Sequence, residues 1–302
     1  MTTPRSAIVL ANPGAGSTGA DVVEQVLSVL EEHARVELVD DLSPESLASA
    51  VDRLGGRDLV VVGGDGSVHA ALLALAERDA LHEPAAVGIV PLGTGNDLAR
   101  ALGLPEDPLE AARVALEGRV VELDLLRDDH EGVVVNAVHA GVGAEATANA
   151  AEVKGVLGTA AYAVGAVRAG AVPDGWHLRV TVDGQVVHDG TRECLMVTVA
   201  VGRYIGGGTP VAPGSDPDDR VATVVVSLAV GAAERVAYAL ALRDGTHTER
   251  DDVVVAHGRE VLVEAVEESD AFPVNTDGEV GPVALARTWR LQPAAWRCRV
   301  PA

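Results

Sequence analysis

Over residues 1–126 the chain alternates between short apolar runs and apolar residues at helical spacing. Ala7–Ala11 reads as a buried strand, Ala20–His33 as a helix with Val22, Val26 and Val29-Leu30 on one face, and Val36–Val39 as the next strand. Ser43 is placed to cap a helix that opens on Pro44 and runs through Leu54. Asp58–Val62, Val68–Ala80 and Ala86–Val90 continue the rhythm as strand, helix and strand. Such alternation predicts a Rossmann-like open, largely parallel sheet with helices on both faces, which binds ligands at the carboxyl ends of its strands.

Two glycine-rich turns fall at such ends, Gly63-Gly64-Asp65-Gly66-Ser67 and Pro91-Leu92-Gly93-Thr94-Gly95-Asn96-Asp97. Glycines let backbone N–H groups approach an anion closely, and a following helix adds its positive dipole end. One such turn serves strand-to-helix geometry alone. Two of them, separated by one helix and one strand and containing Asp65, Asn96 and Asp97, point to a phosphate site. Lys154 is the only lysine, so a lysine clamp of the Walker type is excluded near these turns.

From Val120 onward the texture turns β-rich, with Val133–Val135, Leu178–Val182, Leu195–Val199 and Val253–Val255 as strands and Asp183-Gly184 as a hairpin turn. Helical patches at Ala144–Arg168 and Ala232–Leu242 interrupt it. The expectation is two domains: residues 1–126 as the α/β domain, with residues 288–302 packing back on it, and residues 127–287 as an antiparallel β-sandwich-like domain. Aromatics are 2% of the chain against 48% hydrophobic residues, so the core must be built of Ala, Val and Leu. A formal charge of −22 argues against nucleic-acid partners and against polybasic attraction to anionic membranes, leaving only local, apolar lipid contact. Cys194 and Cys298 are too few for a disulfide framework, no signal-peptide core is evident, and Val221–Ala233 falls short of the roughly 20 residues that span a bilayer. A cytoplasmic protein, at most peripheral at a membrane, is expected, with a homodimer left open.

Gly14-x-Gly16-x-x-Gly19 also fits a dinucleotide fingerprint, with Asp40 where a ribose would be held, but Asn12-Pro13 intrudes before the glycines and the fingerprint explains neither later turn. Taken together, Asn12-Pro13-x-x-Gly16, the two glycine turns, Gly141–Glu145, Gly206–Gly208, Pro213–Asp219, Asp277-Gly278-Glu279 and Pro293–Trp296 resemble the diacylglycerol kinase catalytic-domain family, nearly end to end. That resemblance implies an ATP-dependent lipid kinase with the nucleotide in a cleft between the domains and a lipid hydroxyl at a membrane surface as acceptor, diacylglycerol first. By the same resemblance Gly63, Gly64, Asp65, Gly66, Ser67, Val68 and His69 would wrap the ATP phosphates. Asn12, Gly93, Thr94, Asn96 and Asp97 would complete the nucleotide site. Glu279 would accept the proton with Asp277 orienting it or binding through Mg²⁺, and Asp216, Asp219 and the Val221 carbonyl would hold Mg²⁺.

Phosphoryl transfer does need positioned phosphates, a divalent ion and a carboxylate near the attacking hydroxyl. Each motif also has a plainer use: Asp277-Gly278 as a hairpin turn, Asp216–Asp219 as a solvated loop, His139 as a core histidine, Asp124 as a junction residue. Departures from the family pattern are Ser67 for Thr, Ala70 for Glu, Glu145 for Asp, Asp40 near a usual Thr, and Arg220 where glycine follows the Asp pair. Arg220 weakens the magnesium assignment. A kinase of a soluble acceptor such as NAD, and a nucleotide sensor without phosphotransfer, are the competing readings.

Overall fold

The computed structural model describes residues 5–11, 20–142 and 175–302. The chain divides into two compact units, one of residues 1–124 with 293–302 and one of residues 125–292. The helical patch expected at Ala144–Arg168 lies outside the described residues.

In the first unit, β1 (Ser6–Ala11), α1 (Ala20–His33), β2 (Arg35–Val39), α2 (Pro44–Asp52), β3 (Asp58–Gly63), α3 (Asp65–Glu77) and β4 (Val87–Pro91) follow the sequence rhythm closely. Ser43 caps α2, its hydroxyl accepting the Ser46 N–H at 3.4 Å, and Pro44 follows it at the helix start. The strands run parallel in the order β2-β1-β3-β4. Two elements were not read from the sequence, α4 (Asp97–Ala101) and α5 (Pro108–Glu117). The signal for α5 was present: Asp107 accepts the N–H groups of Leu109 and Glu110, and Pro108 opens the helix.

Small residues make the first core. Ala111, Ala112, Ala115 and Leu116 of α5 pack with Val26, Leu30, Val60, Val62 and Val90. A Cβ at Gly88 would lie 2.3 Å from the Ala115 carbonyl oxygen, so α5 rests directly on the β4 backbone. The chain end returns to this unit: Cys298 pairs in parallel with Val87, and buried Arg299 donates to both oxygens of buried Asp58, at 3.0 and 3.3 Å. Asp124 holds the returning segment, accepting the Ala294 N–H at 2.8 Å where Ala294 has a positive φ of 51°.

The second unit comprises the end of β5 (Arg119–Asp128), then β6 (Val133–Val134), β7 (Ala137–Gly141), β8 (Leu178–Val182), β9 (Gln185–His188), β10 (Met196–Ala200), β11 (Ala222–Ser227), α6 (Ala232–Asp244), β12 (Val253–Gly258), β13 (Glu260–Ala265), β14 (Val274–Thr276), β15 (Glu279–Val280) and the first part of β16 (Ala286–Val300). One antiparallel sheet runs β12-β11-β10-β7-β14-β15, and β16-β13-β8-β9 pair antiparallel in the other. Their inner faces share one core that includes Val138, Val180, Val199, Val224, Val263 and Trp289. The expected parallel first half and antiparallel, sandwich-like second half are both present. Among the described residues no helix is long and apolar enough to cross a membrane.

Candidate active site

Because β3 and β4 are parallel neighbours with Gly63 opposite Pro91, both glycine turns leave the same edge of the sheet side by side. They touch through backbone. A Cβ on Gly64 would lie 2.9 Å from the Gly93 Cα, and one on Gly93 would lie 2.5 Å from the Gly64 Cα and 2.8 Å from Asn96 Oδ1. Leu92 donates its N–H to the Gly63 carbonyl at 3.0 Å. The α3 helix begins three residues earlier than the apolar pattern suggests, at Asp65, because extended Gly64 acts as N-cap and its carbonyl accepts from Ser67 and Val68. Ser67, Val68 and His69 therefore belong to the first turns of a helix, and Val68 is buried.

The polar residues of the turns build the turns. Asn96, left-handed at φ 52°, accepts the Gly93 N–H through Oδ1 at 3.0 Å and donates through Nδ2 to the Gly93 carbonyl at 2.8 Å. Asp65 Oδ1 accepts the Leu98 N–H at 3.3 Å, joining the start of α3 to the start of α4, whose first residue Asp97 is buried. Gly66 and Thr94 are exposed, and nothing lies within 4 Å of a Cβ built on Gly66. Its lack of a side chain answers no contact among the described residues. The result is a helix N-terminus, with N–H groups ahead of Ser67 outside the helix's own bonding, behind open space. Asn12 lies outside the described residues.

In the second unit, Asp277 and Gly278 form a two-residue turn between β14 and β15, both at positive φ (48° and 96°), with Thr276 paired to Glu279. The Asp277 carboxylate accepts three backbone N–H groups, from Val135 at 2.7 Å, Asn136 at 2.9 Å and Ala137 at 3.1 Å. Asp277 is thus a clamp between the turn that carries Glu279 and the entry to β7. Glu279 is exposed. His139 on β7 is a core residue, its Nδ1 2.9 Å from Thr198 Oγ1. Burial pushes its pKa down to about 4, against a smaller opposing pull from the Asp277 charge, so it is neutral near pH 7.

The acidic loop ahead of β11 differs from the expected ion cage. Asp219 accepts the N–H groups of Asp216 and Val221, both at 3.1 Å, so Val221 meets Asp219 through its N–H. Asp216 carries the Arg203 guanidinium at 2.8 Å, and Arg203 also donates to the Ser215 carbonyl at 2.7 Å. Arg220 takes up φ 68°, the conformation glycine adopts most readily. As arranged, the Asp216 carboxylate is engaged by a guanidinium and the Asp219 carboxylate by two N–H groups, and among the described residues no cluster of three acidic, His or Cys ligands forms.

The diacylglycerol kinase catalytic domain model matches residues 6–127, and the YegS C-terminal NAD kinase beta sandwich-like domain model matches residues 136–299. The chain belongs to the diacylglycerol kinase catalytic-domain family. It is similar to a "Probable lipid kinase YegS-like" of Klebsiella pneumoniae (strain 342), 29% identical over 82% of this chain and 80% of the relative. A "Diacylglycerol kinase" of Staphylococcus carnosus (strain TM300) is 26% identical over 74% of this chain and 70% of its own length. A diacylglycerol kinase crystal structure from Bacillus anthracis str. Sterne shares the fold, with TM-score 0.75 at 22% identity over 99% of this chain and 98% of that one. Sequence reading missed Arg203 on the acidic loop and Asn275 behind the hairpin. An Asn three residues ahead of a turn glycine is a local signal for a side-chain bond to the backbone, available in the sequence and passed over.

Proposed function

We propose that this kinase transfers the γ-phosphoryl group of ATP to the hydroxyl of a lipid, with diacylglycerol as the first acceptor to test. The observation that carries the nucleotide half is Gly66: exposed, in the first turn of a 13-residue helix, with no neighbour that demands glycine. An anion can come up against that backbone where a side chain would stand off it. Gly64, Gly93, Asn96 and Asp65 hold the two turns in the shape that leaves this surface open. ATP enters as its magnesium complex, so the divalent ion belongs to the substrate. The acidic loop has no assigned step.

Glu279 is the proposed proton acceptor for the lipid hydroxyl. It is exposed, it is presented by a turn fixed on Asp277, and a carboxylate placed against the attacking hydroxyl assists transfer by roughly 10²–10⁴-fold. The relatives' names and the first-domain model support a lipid acceptor. The acidic chain leaves apolar contact as its means of meeting a lipid surface.

The test is transfer of labelled γ-phosphate in mixed micelles holding diacylglycerol or sphingosine, beside a micelle-free reaction with NAD. Label in lipid, reduced at least about 100-fold by Glu279→Gln, is the expected result. Label in NADP would replace the lipid by a soluble acceptor. Binding of ATP with no product from any acceptor would favour a sensor.

A further inference from the structure

We propose that Asn275 is a positioning residue for Glu279, an inference that rests on reading Glu279 as the proton acceptor. Asn275 lies in β14, two residues before the turn, and is 3% exposed. Its Oδ1 accepts the Gly278 N–H at 3.0 Å. That N–H lies in the Asp277–Gly278 peptide, the central peptide of the turn, and Gly278 immediately precedes Glu279, so Asn275 holds the turn conformation from which Glu279 leaves. Asp277 fixes the other side of the same turn through Val135, Asn136 and Ala137. Two side chains two positions apart, one in the strand and one in the turn, thus grip a turn of only two residues.

Asn275 is itself held. It stands directly opposite His139 on β7, and His139 stands directly opposite Thr198 on β10, so the three form a polar row on one face of the sheet. His139 is tied to Thr198. Asn275 Nδ2 and His139 Nε2 are buried with no hydrogen-bond partner among the described residues. An aliphatic β-branched residue would serve strand and core without burying an unmatched amide. What asparagine adds beyond packing is the bond to Gly278, and that bond bears on the direction of Glu279.

The experiment is a double-mutant cycle read as kcat and KM on folded enzyme. Asn275→Ala should lower kcat at least about tenfold, as misplacement of a reacting group does, and leave KM for ATP within about twofold. Asn275→Ser, whose hydroxyl can accept the Gly278 N–H, should recover part of the loss. In a Glu279→Gln background, Asn275→Ala should cost nothing further, because a positioning residue acts through the group it positions. Losses that multiply in the double variant would overturn the proposal, as would unchanged turnover per folded molecule in Asn275→Ala, judged against near-UV circular dichroism. Undiminished activity of Glu279→Gln alone would remove the reading of Glu279 and this proposal with it, whereas an inactive Glu279→Gln beside a fully active Asn275→Ala would remove the proposal alone.

Discussion

Asp183-Gly184 and Asp277-Gly278 use one dipeptide in one way. Both turns have positive φ at each residue, and both aspartates accept N–H groups of a neighbouring segment: Arg259 and Glu260 for Asp183, Val135 to Ala137 for Asp277. Asp183 therefore shows what Asp277 does as a structural residue, and Glu279 is what sets the second hairpin apart. The glycines separate in the same manner. Gly64 faces the Gly93 backbone, so Gly64→Ala should destabilise the first unit by about 1–3 kcal/mol through overpacking, measured by urea unfolding. Gly66 faces nothing, and Gly66→Ala should hold or raise the melting temperature, since alanine suits a helix better by roughly 1 kcal/mol, while weakening ATP binding. Unchanged ATP affinity in a folded Gly66→Ala protein would remove the phosphate-cradle reading.

Among the elements, α3 and α4 are coupled by one side chain. Asp65 opens α3 and takes the N–H of Leu98 in the first turn of α4, so one side chain links the two helix starts. The strand pair beneath them supplies the alignment, since a parallel register with Gly63 opposite Pro91 brings both turns to one edge. Behind them α5 lies on Gly88 through Ala115, with Asp107 satisfying two N–H groups at its start. Removing that cap by Asp107→Ala should cost about 1 kcal/mol, visible as a lower urea midpoint at unchanged m-value. Because the cap is exposed and outside the glycine turns, KM for ATP should not follow the loss of stability.

For the molecule as a whole, acid is the revealing stress. His139 is held near pKa 4 in the folded chain against an ordinary value of 6.5, with burial as the larger cause. The unfolded chain therefore takes up this proton first as pH falls. The stability linked to His139 is fully present above about pH 6.5 and is lost between there and about pH 4, amounting to roughly 3 kcal/mol over the window. His139→Gln should flatten the fall of melting temperature across that range; an equally steep fall in the variant would assign the acid lability to other groups.

The order and type of elements were legible because period is a local property: β1 to β4 with α1 to α3 appear where apolar spacing places them, and Ser43 caps α2 as its neighbours suggest. Both glycine turns and both Asp-Gly hairpins are likewise local, since only a few residue types tolerate the backbone they need. What the sequence did not contain was who meets whom. That Gly64 lies on Gly93, that Asp277 clamps residues 135–137, and that Arg203 reaches Asp216 are contacts over separations of 13 to 142 residues. Local spacing marks a carboxylate as available. Only the tertiary structure decides whether its oxygens face a ligand or are already filled by backbone N–H groups, as they are for Asp277 and Asp219, and as is not seen for exposed Glu279.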